Sequence, residues 1–205
     1  MARTEGGRGR VVWLPTFESP NHLSQDDAPF PWAHPIPVVE NGQVVPALLP
    51  VLAAVRDHDL VLATGHLSPT EALVLIAAAR EAGVHRILVT HANSPPIRAT
   101  LDDLRALVRA GAYLELVPPF DRKNASAAPD RNARLEAVAQ AFLALGPERI
   151  VLASDLGKPG LPHPARGLEA FAEELLARGV PRAHLQRALV TNPAALLGLS
   201  PTSER

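Results

Sequence analysis

Short apolar segments alternate with longer amphipathic ones along most of the chain. Apolar segments suited to buried strands begin at positions 60, 86 and 112, each 26 residues after the last, and each precedes a segment with helical periodicity. Two further strand patterns, at 10–16 and 149–153, bring the number of predicted strands to five. Alternation of this kind favours a parallel sheet whose faces are covered by helices. We therefore predict an α/β fold with about five parallel strands.

Start and stop signals delimit the helices that follow these strands. The predicted helices span 69–82, 101–110, 131–145 and 164–178. Their predicted N-caps include Ser68, Thr100 and Asp130, and Glu71 completes a capping box with Ser68. A glycine ends each helix, as expected for a residue that adopts a left-handed conformation.

Four more elements lie outside this repeating unit. They are a hairpin over 38–45 and helices over 46–59, 181–190 and 193–197. Asn41-Gly42 favours a type I′ turn in the hairpin, because both residues tolerate positive φ. Asn192 is the predicted N-cap of the last helix, with Pro193 at its first position.

The chain length limits how these elements can be arranged. Residues 1–9 are predicted to be a flexible lead-in, and 10–205 to form a single domain with one core. A complete eight-stranded barrel usually needs about 250 residues, so 205 residues predict a partial (β/α)8 barrel. Residues 17–37 contain five prolines and are predicted to be a long loop, a kind of segment that often acts as a functional lid.

Composition and charge narrow the functional classes. The formal net charge is −1 and no block of Lys or Arg occurs, which argues against binding to nucleic acid or to an anionic membrane. The chain has no cysteine, so any metal ion must be held by His, Asp or Glu. No signal-peptide or membrane-spanning segment is recognisable, and we expect a cytoplasmic protein.

Candidate metal ligands follow three of the predicted strands. His66, His91 and Asp155 each lie one or two residues beyond a strand, and Glu115 lies near the end of the strand between. In parallel α/β folds the active site lies at the carboxyl ends of the strands. Imidazole and carboxylate ligands suit zinc, iron or manganese, and a metal held there lowers the pKa of bound water. Asp155 is predicted both to bind the metal and to accept a proton from that water.

Each of these residues, taken alone, could have a purely structural role. A single histidine at a strand end is more often a loop or capping residue, and Asp155 could pair with Lys158. Glu115 could equally face outward to a helix. The recurrence of such residues at three strand ends favours metal binding. Glu18 and His22 are possible additional site residues, although a solvated surface position is the favoured interpretation of His22.

Four motifs, in this order along the chain, resemble the amidohydrolase superfamily of metal-dependent hydrolases. They are "TGH" and "VTHA" after two successive strands, "ASDLG" after the last strand, and "TNPAALLGL" at the C-terminus. The resemblance, closest to an uncharacterised amidohydrolase-related family, covers residues 10 to 199. It implies a (β/α)8 barrel in which His66, His91 and Asp155 bind a divalent metal, with zinc expected and manganese or iron as alternatives. It also implies that Asp155 is the proton shuttle.

The chain departs from the superfamily pattern at its beginning. No His-x-His pair occurs, and no Lys follows "VVWLP" to serve as a carbamylated bridge between metals. If "RVVWLPT" is the fourth strand of the barrel, the chain corresponds to strands 4–8. We then expect an open partial barrel whose first and last strands do not pair with each other. Such open edges favour homo-oligomers.

Two functional hypotheses of different classes follow. The first is a metal-dependent hydrolase in which metal-activated water attacks an amide, ester, lactone or related bond of a small-molecule substrate. The second is a catalytically silent barrel fragment that binds a ligand or a partner. A nucleotide-binding domain is disfavoured, because no Gly-rich phosphate loop follows any strand.

Overall fold

The computed structural model describes residues 9–25, 32–119 and 130–199. The predicted lead-in therefore lies outside the described residues except for Gly9. The described strands are β1 (Val11–Trp13), β2 (Val39–Glu40), β3 (Gln43–Val44), β4 (Val61–Ala63), β5 (Ile87–Val89), β6 (Tyr113–Leu116) and β7 (Ile150–Leu152). Five of them form one parallel sheet, in the order β1-β4-β5-β6-β7. The predicted α/β fold with five parallel strands is confirmed.

The sheet is open. In the described part of the chain, β1 pairs only with β4 and β7 pairs only with β6, so these two strands form the edges. The pairs that set the register are Val11 with Val61, Leu62 with Ile87, Leu88 with Tyr113 and Glu115 with Val151. The sheet has the architecture of a partial (β/α)8 barrel, as predicted.

The helices mostly cover one face of the sheet, and the last of them lies on the other. They are α1 (Pro20–Leu23), α2 (Leu49–Asp57), α3 (Pro69–Glu81), α4 (Leu101–Arg109), α5 (Arg131–Leu145), α6 (Pro164–Leu176), α7 (Arg182–Gln186) and α8 (Asn192–Leu197), with a 3₁₀ turn at Pro46–Leu48. The main core lies between this layer and the outward-facing strand residues, among them Leu62, Ile87 and Leu114, which are fully buried. Burying each such side chain stabilises the fold by about 1.5–3 kcal/mol.

A second, smaller core lies on the opposite face of the sheet, which corresponds to the interior of a barrel. Because side chains alternate along a strand, Val61, Ala63, Leu88 and Val151 point to this face, where Leu196 of α8 packs against them. Trp13 of β1 pairs in register with Ala63 and so shares this face, but half of its surface remains exposed. The inner face is therefore covered mainly by the C-terminal helix.

Most local signals in the sequence are confirmed. Ser68 and Thr100 each accept a hydrogen bond from the backbone at the third helical position, and Glu71 completes the predicted capping box. Asp130 occupies the predicted N-cap position of α5, but its side chain makes no capping hydrogen bond. Its backbone lies near φ −106° and ψ 5°, and its carboxylate pairs instead with Arg134, one turn along α5, at 3.3 Å.

The predicted hairpin is also confirmed. Strands β2 and β3 are antiparallel, and Asn41 and Gly42 between them have φ values of 51° and 75°. Positive φ at both central residues is the mark of a type I′ turn. The loop predicted over 17–37 contains one short helix, α1, in its described part, and residues 26–31 lie outside the described residues.

The C-terminal helices differ from the prediction. Instead of a break before Asn192, a π-helical segment, Arg187–Thr191, joins α7 to α8. The side chain of Asn192 does not cap a helix. Its Nδ2 donates to the carbonyl oxygens of Pro147 at 2.6 Å and Ile150 at 2.7 Å, which fastens the terminal helix to the start of β7. The wider turn accommodates Pro193, which has no N–H to give to an α-helical ladder.

None of the helices in the described ranges is long and apolar enough to cross a membrane.

Removing the Asn192 amide tests whether this fastening stabilises the fold. We expect Asn192→Ala to lower the free energy of unfolding by about 1–3 kcal/mol, because the buried Ile150 carbonyl and the partly buried Pro147 carbonyl lose this donor. Urea unfolding measures the change. The control is Gln140→Ala on exposed α5 surface, which should stay within about 0.5 kcal/mol of the wild type. Equal unfolding midpoints for the two variants would show that the bonds contribute nothing net.

Candidate functional site

The site begins where the chain leaves β4. Gly65 has φ +62°, and a Cβ placed on it would lie 2.4 Å from the carbonyl oxygens of Leu14 and Pro15. The backbone N–H of the next residue, His66, donates to the Pro15 carbonyl at 3.1 Å. Glycine is therefore required here by both conformation and space. The segment after β1 lies directly over the end of β4, and this contact fixes the position of His66.

Two threonines bind the ends of β4 and β5 to each other. The Gly65 N–H donates to Oγ1 of Thr90 at 3.1 Å, and the Thr90 N–H donates to Oγ1 of Thr64 at 3.2 Å. Both threonines are buried. These crossed bonds satisfy backbone groups just beyond the regular ladder, so the two chain segments that carry His66 and His91 are held side by side.

His66 and His91 form a buried pair at the carboxyl ends of these neighbouring strands. Their Nε2 atoms lie 3.0 Å apart and their ring centroids 4.8 Å apart. The two residues are 3% and 8% exposed. His91 has φ +23°, a conformation that non-glycine residues seldom adopt and that often occurs at functional sites. The predicted proximity of the two histidines is thus present in the structure.

A third histidine joins the pair from the other side. His22 lies on α1, and its Nδ1 faces the Nδ1 of His66 within hydrogen-bonding distance. Only 3% of His22 is exposed, so the interpretation of this residue as a solvated surface histidine is wrong. Phe17 packs against both rings, with centroid distances of 5.4 Å to His22 and 5.6 Å to His66. The three imidazoles form a continuous buried row.

The segment that carries His22 is fastened to the backbone of His66. The His66 carbonyl oxygen accepts hydrogen bonds from Oγ of Ser19 at 2.9 Å and from Nδ2 of Asn21 at 3.0 Å. Nδ2 of Asn21 also donates to the Pro96 carbonyl at 2.6 Å, in the loop that follows His91. We call residues 15–25 with these contacts the clasp. The sequence alone does not reveal the roles of Ser19 and Asn21, because their partners lie more than 40 residues away and "SPN" has the appearance of an ordinary turn.

Glu115 lies on the inner face of the sheet, not outward against a helix. Its Oε2 accepts a hydrogen bond from the His91 backbone N–H at 2.9 Å. Burial raises the pKa of the Glu115 carboxyl group, the bond from His91 opposes this, and the charge of Asp155 raises the pKa further. Glu115 therefore holds the backbone of His91, a candidate ligand. Its own pKa is affected by the charge of Asp155, the third candidate ligand.

The two remaining candidates lie at the rim. Asp155 is exposed, with φ +49°, in the loop that follows β7. Glu18 is partly buried and its backbone carbonyl accepts a hydrogen bond from the Ile36 N–H at 2.9 Å, which closes the base of the long loop. Through its backbone carbonyl, Glu18 thus connects the two ends of the long loop.

The side chains of His66, His91 and Asp155 do not all converge on one position for a metal ion. Within the described ranges, no three His, Asp or Glu side chains are placed to hold a common ion. His66 turns Nδ1 to His22 and Nε2 to His91, so one ion cannot bind all three histidines through the observed atoms. Tetrahedral zinc places two ligand nitrogens about 3.3–3.4 Å apart, close to the observed Nε2 separation. The pair therefore fits two ligand positions, and no described Asp or Glu side chain joins it as a third.

The sequence also belongs to a recognised family. Residues 1–115 match the model of a family of unknown function, DUF6282, and this is more than half of the 205-residue chain. The chain belongs to DUF6282. A search of curated proteins finds no match to this DUF6282 chain.

Solved structures share its fold. An amidohydrolase from Burkholderia multivorans with bound zinc superposes with a TM-score of 0.58 at 15% identity, over 97% of this chain and 76% of that one. A structure of an amidohydrolase from the same organism with bound HEPES gives a TM-score of 0.56 at 16% identity, over 97% and 77%. An apo structure from Agrobacterium tumefaciens gives 0.53 at 20% identity, over 95% and 70%. The resemblance to the amidohydrolase superfamily is confirmed for the fold.

Gly65→Ala tests the close contact that positions His66. We expect it to lower the free energy of unfolding by about 1–3 kcal/mol more than Gly179→Ala does, because the new methyl group must displace two backbone carbonyls. Gly179 has φ +87° but open space around its Cβ position, so its variant reports the cost of the left-handed backbone alone. Chemical denaturation of both variants makes the comparison. Equal losses of unfolding free energy in the two variants would show that the close approach of the Leu14 and Pro15 carbonyls to Gly65 has no energetic effect.

The raised pKa of Glu115 predicts a pH dependence of stability in chelator-treated, metal-free protein. The unfolded carboxyl group releases its proton near the ordinary glutamate pKa of 4.5, whereas the folded one retains it to higher pH. The unfolded state therefore binds fewer protons in this window, and stability falls as pH rises from 4.5 to the folded pKa. Glu115→Gln should remove this fall and be the more stable protein above the window.

Urea midpoints of wild type and Glu115→Gln across this pH range measure the effect. The quantity to compare is the difference between the two proteins, since titrating groups that do not interact with Glu115 contribute equally to both. A difference that does not change with pH would contradict the raised pKa.

Proposed function

We propose that the protein is a metal-dependent hydrolase of amidohydrolase type that acts on an amide, ester, lactone or related bond. The observation that carries this proposal is the buried pair of Nε2 atoms of His66 and His91, 3.0 Å apart at the carboxyl ends of adjacent parallel strands. Active sites of such folds lie at this end of the sheet. The fold shared with a zinc-bound amidohydrolase supports the proposal.

The residues that would hold the metal are His66, His91 and Asp155. Two neutral imidazoles and one carboxylate are a ligand set for zinc, and an open fourth position is what a catalytic site requires. Zinc, manganese or iron in this site would lower the pKa of a water molecule and polarise the carbonyl group of the substrate. Asp155 lies in the loop after β7, at the carboxyl end of the same parallel sheet as the two histidines.

The chain's own groups have separate tasks in hydrolysis. Asp155 accepts the proton of the attacking water and returns it to the leaving group. The negative charge of Asp155 adds to the effect of desolvation in raising the pKa of the partly buried Glu115 carboxyl group. Through its backbone bond Glu115 also holds His91 in its unusual conformation. The buried histidines exclude bulk water from the inner side of the site.

A cavity beside the clasp is suited to a small-molecule substrate. It has a volume of about 490 Å³ and lies between α1, the start of α3 and the loop after His91. Asn21, Ser68 and Arg98 are among the residues that line it, so polar groups and one positive charge face its interior. Asn21 lines the cavity and also donates to the His66 backbone carbonyl, so the cavity wall is connected to the backbone of the histidine pair.

Metal analysis combined with an activity screen tests the proposal. The purified protein is loaded with zinc, desalted and analysed for metal, then assayed against esters, lactones and amides. We expect one zinc ion per chain and turnover in at least one substrate class. His91→Ala should lose the metal, and Asp155→Asn should lower turnover by about 10²–10⁴-fold.

His85→Ala is the matched control. His85 is an exposed histidine just before β5, at the opposite end of that strand from His91, so its removal should alter neither metal content nor turnover. If the wild type neither retains zinc nor turns over any substrate, the hydrolase proposal is wrong and the alternative of a ligand- or partner-binding module is favoured.

A further inference from the structure

We propose that His22 is a positioning residue: by accepting a hydrogen bond from Nδ1–H of His66, it holds that imidazole in the tautomer whose Nε2 lone pair faces His91. The inference rests on the row of three imidazoles and goes beyond the ligand set proposed above. The segment after β1 that carries His22 would then set the tautomer of His66 in the metal-free protein.

The row allows only two neutral arrangements of protons. Each contact joins two ring nitrogens, one of which must donate and the other accept. A neutral ring donates through one nitrogen and accepts through the other, so both bonds run in the same direction. Either His91 donates to His66 and His66 donates to His22, or the order is reversed.

Only the first arrangement suits metal binding at His66, and binding at His91 through Nε2 then requires the proton on that atom to move to Nδ1 or to leave. There, Nδ1 of His66 carries the proton and donates it to His22, and Nε2 bears a lone pair. In the reverse arrangement the proton of His66 lies on Nε2, where it occupies the position that a metal would take. Histidine ligands of metals commonly donate their other ring N–H to an acceptor that fixes the tautomer, and His22 is placed to be that acceptor.

The surroundings of His22 allow it to act as a fixed acceptor. Phe17 packs on its ring and on that of His66, so neither side chain can rotate without displacing the other. Ser19 and Asn21, on either side of Pro20, bond to the His66 carbonyl. The short helix that carries His22 is thus attached to the backbone of the residue whose side chain it orients.

A spectroscopic experiment on the metal-free protein tests the tautomer directly. The ¹⁵N shifts of histidine ring nitrogens distinguish a protonated nitrogen from one with a lone pair, and are recorded at about pH 8, above the ordinary pKa of histidine. We expect Nδ1–H at His66 in the wild type and in His22→Gln, whose carbonyl oxygen is an alternative acceptor. In His22→Leu, the proton should move to Nε2. His85→Leu, at an exposed position, is the control and should leave these signals unchanged.

Zinc affinity, measured by competition with a chromophoric chelator, gives the second readout. His22→Leu should bind zinc about 10–100-fold more weakly than wild type, the usual cost of losing a partner that orients a ligand. His22→Gln should recover most of that loss. Recovery by an amide distinguishes positioning from direct ligation, because a lost imidazole ligand would weaken both variants alike.

Three results would overturn the proposal. These are an Nε2–H tautomer at His66 in the metal-free wild type, an unchanged zinc affinity in His22→Leu, or equal losses in the Leu and Gln variants. If the wild type binds no zinc at all, the hydrolase proposal fails, but the ¹⁵N comparison still decides whether His22 sets the tautomer. Should His22→Leu not fold, the wild-type spectrum still tests the proposal, since an Nε2–H tautomer at His66 would overturn it.

Discussion

The docking of the clasp onto the turn after β4 determines the geometry of the whole candidate site. The His66 carbonyl accepts two side-chain hydrogen bonds, its N–H is bound by Pro15, and Gly65 leaves room for the carbonyls of the segment above it. Without this contact, His66 would end a strand as an ordinary loop residue. With it, the imidazole is buried between His22 and His91. Conformational restriction of this kind is what a preorganised ligand requires.

The fold can be predicted from the sequence to a large extent, because its local signals agree with its tertiary arrangement. The 26-residue period, the capping boxes at Ser68 and Thr100 and the Asn41-Gly42 turn each encode an element through short-range bonds. The side chains of Asp130 and Asn192 make no capping bonds, because the Asp130 backbone is not extended and Asn192 lies within a continuous helical segment. Asp130 pairs with Arg134 one turn along the helix, and Asn192 reaches two carbonyls across the fold.

The site can be predicted only in part. A residue's place directly after a strand can be read from the local sequence. This is sufficient to identify His66 and His91 as candidate site residues and to predict that they lie side by side. The burial of His22 depends on Phe17 and on contacts with residues some 45 positions away, which no periodicity reveals. The position of Asp155 depends on a loop in which the backbone adopts positive φ, and sequence spacing does not specify where such a loop directs its side chain.

The pairing of β1 with β4 has a consequence for the order in which the protein folds. Val11 pairs with Val61, so 50 positions separate two adjacent strands, whereas the later strands each pair with the next one along the chain. Closing so long a loop costs entropy before any contact is gained, and non-local pairings of this kind slow folding. The β4–β7 segment has local connections and can assemble earlier. We therefore expect the histidine row, which needs the segment after β1, to form after the β4–β7 segment.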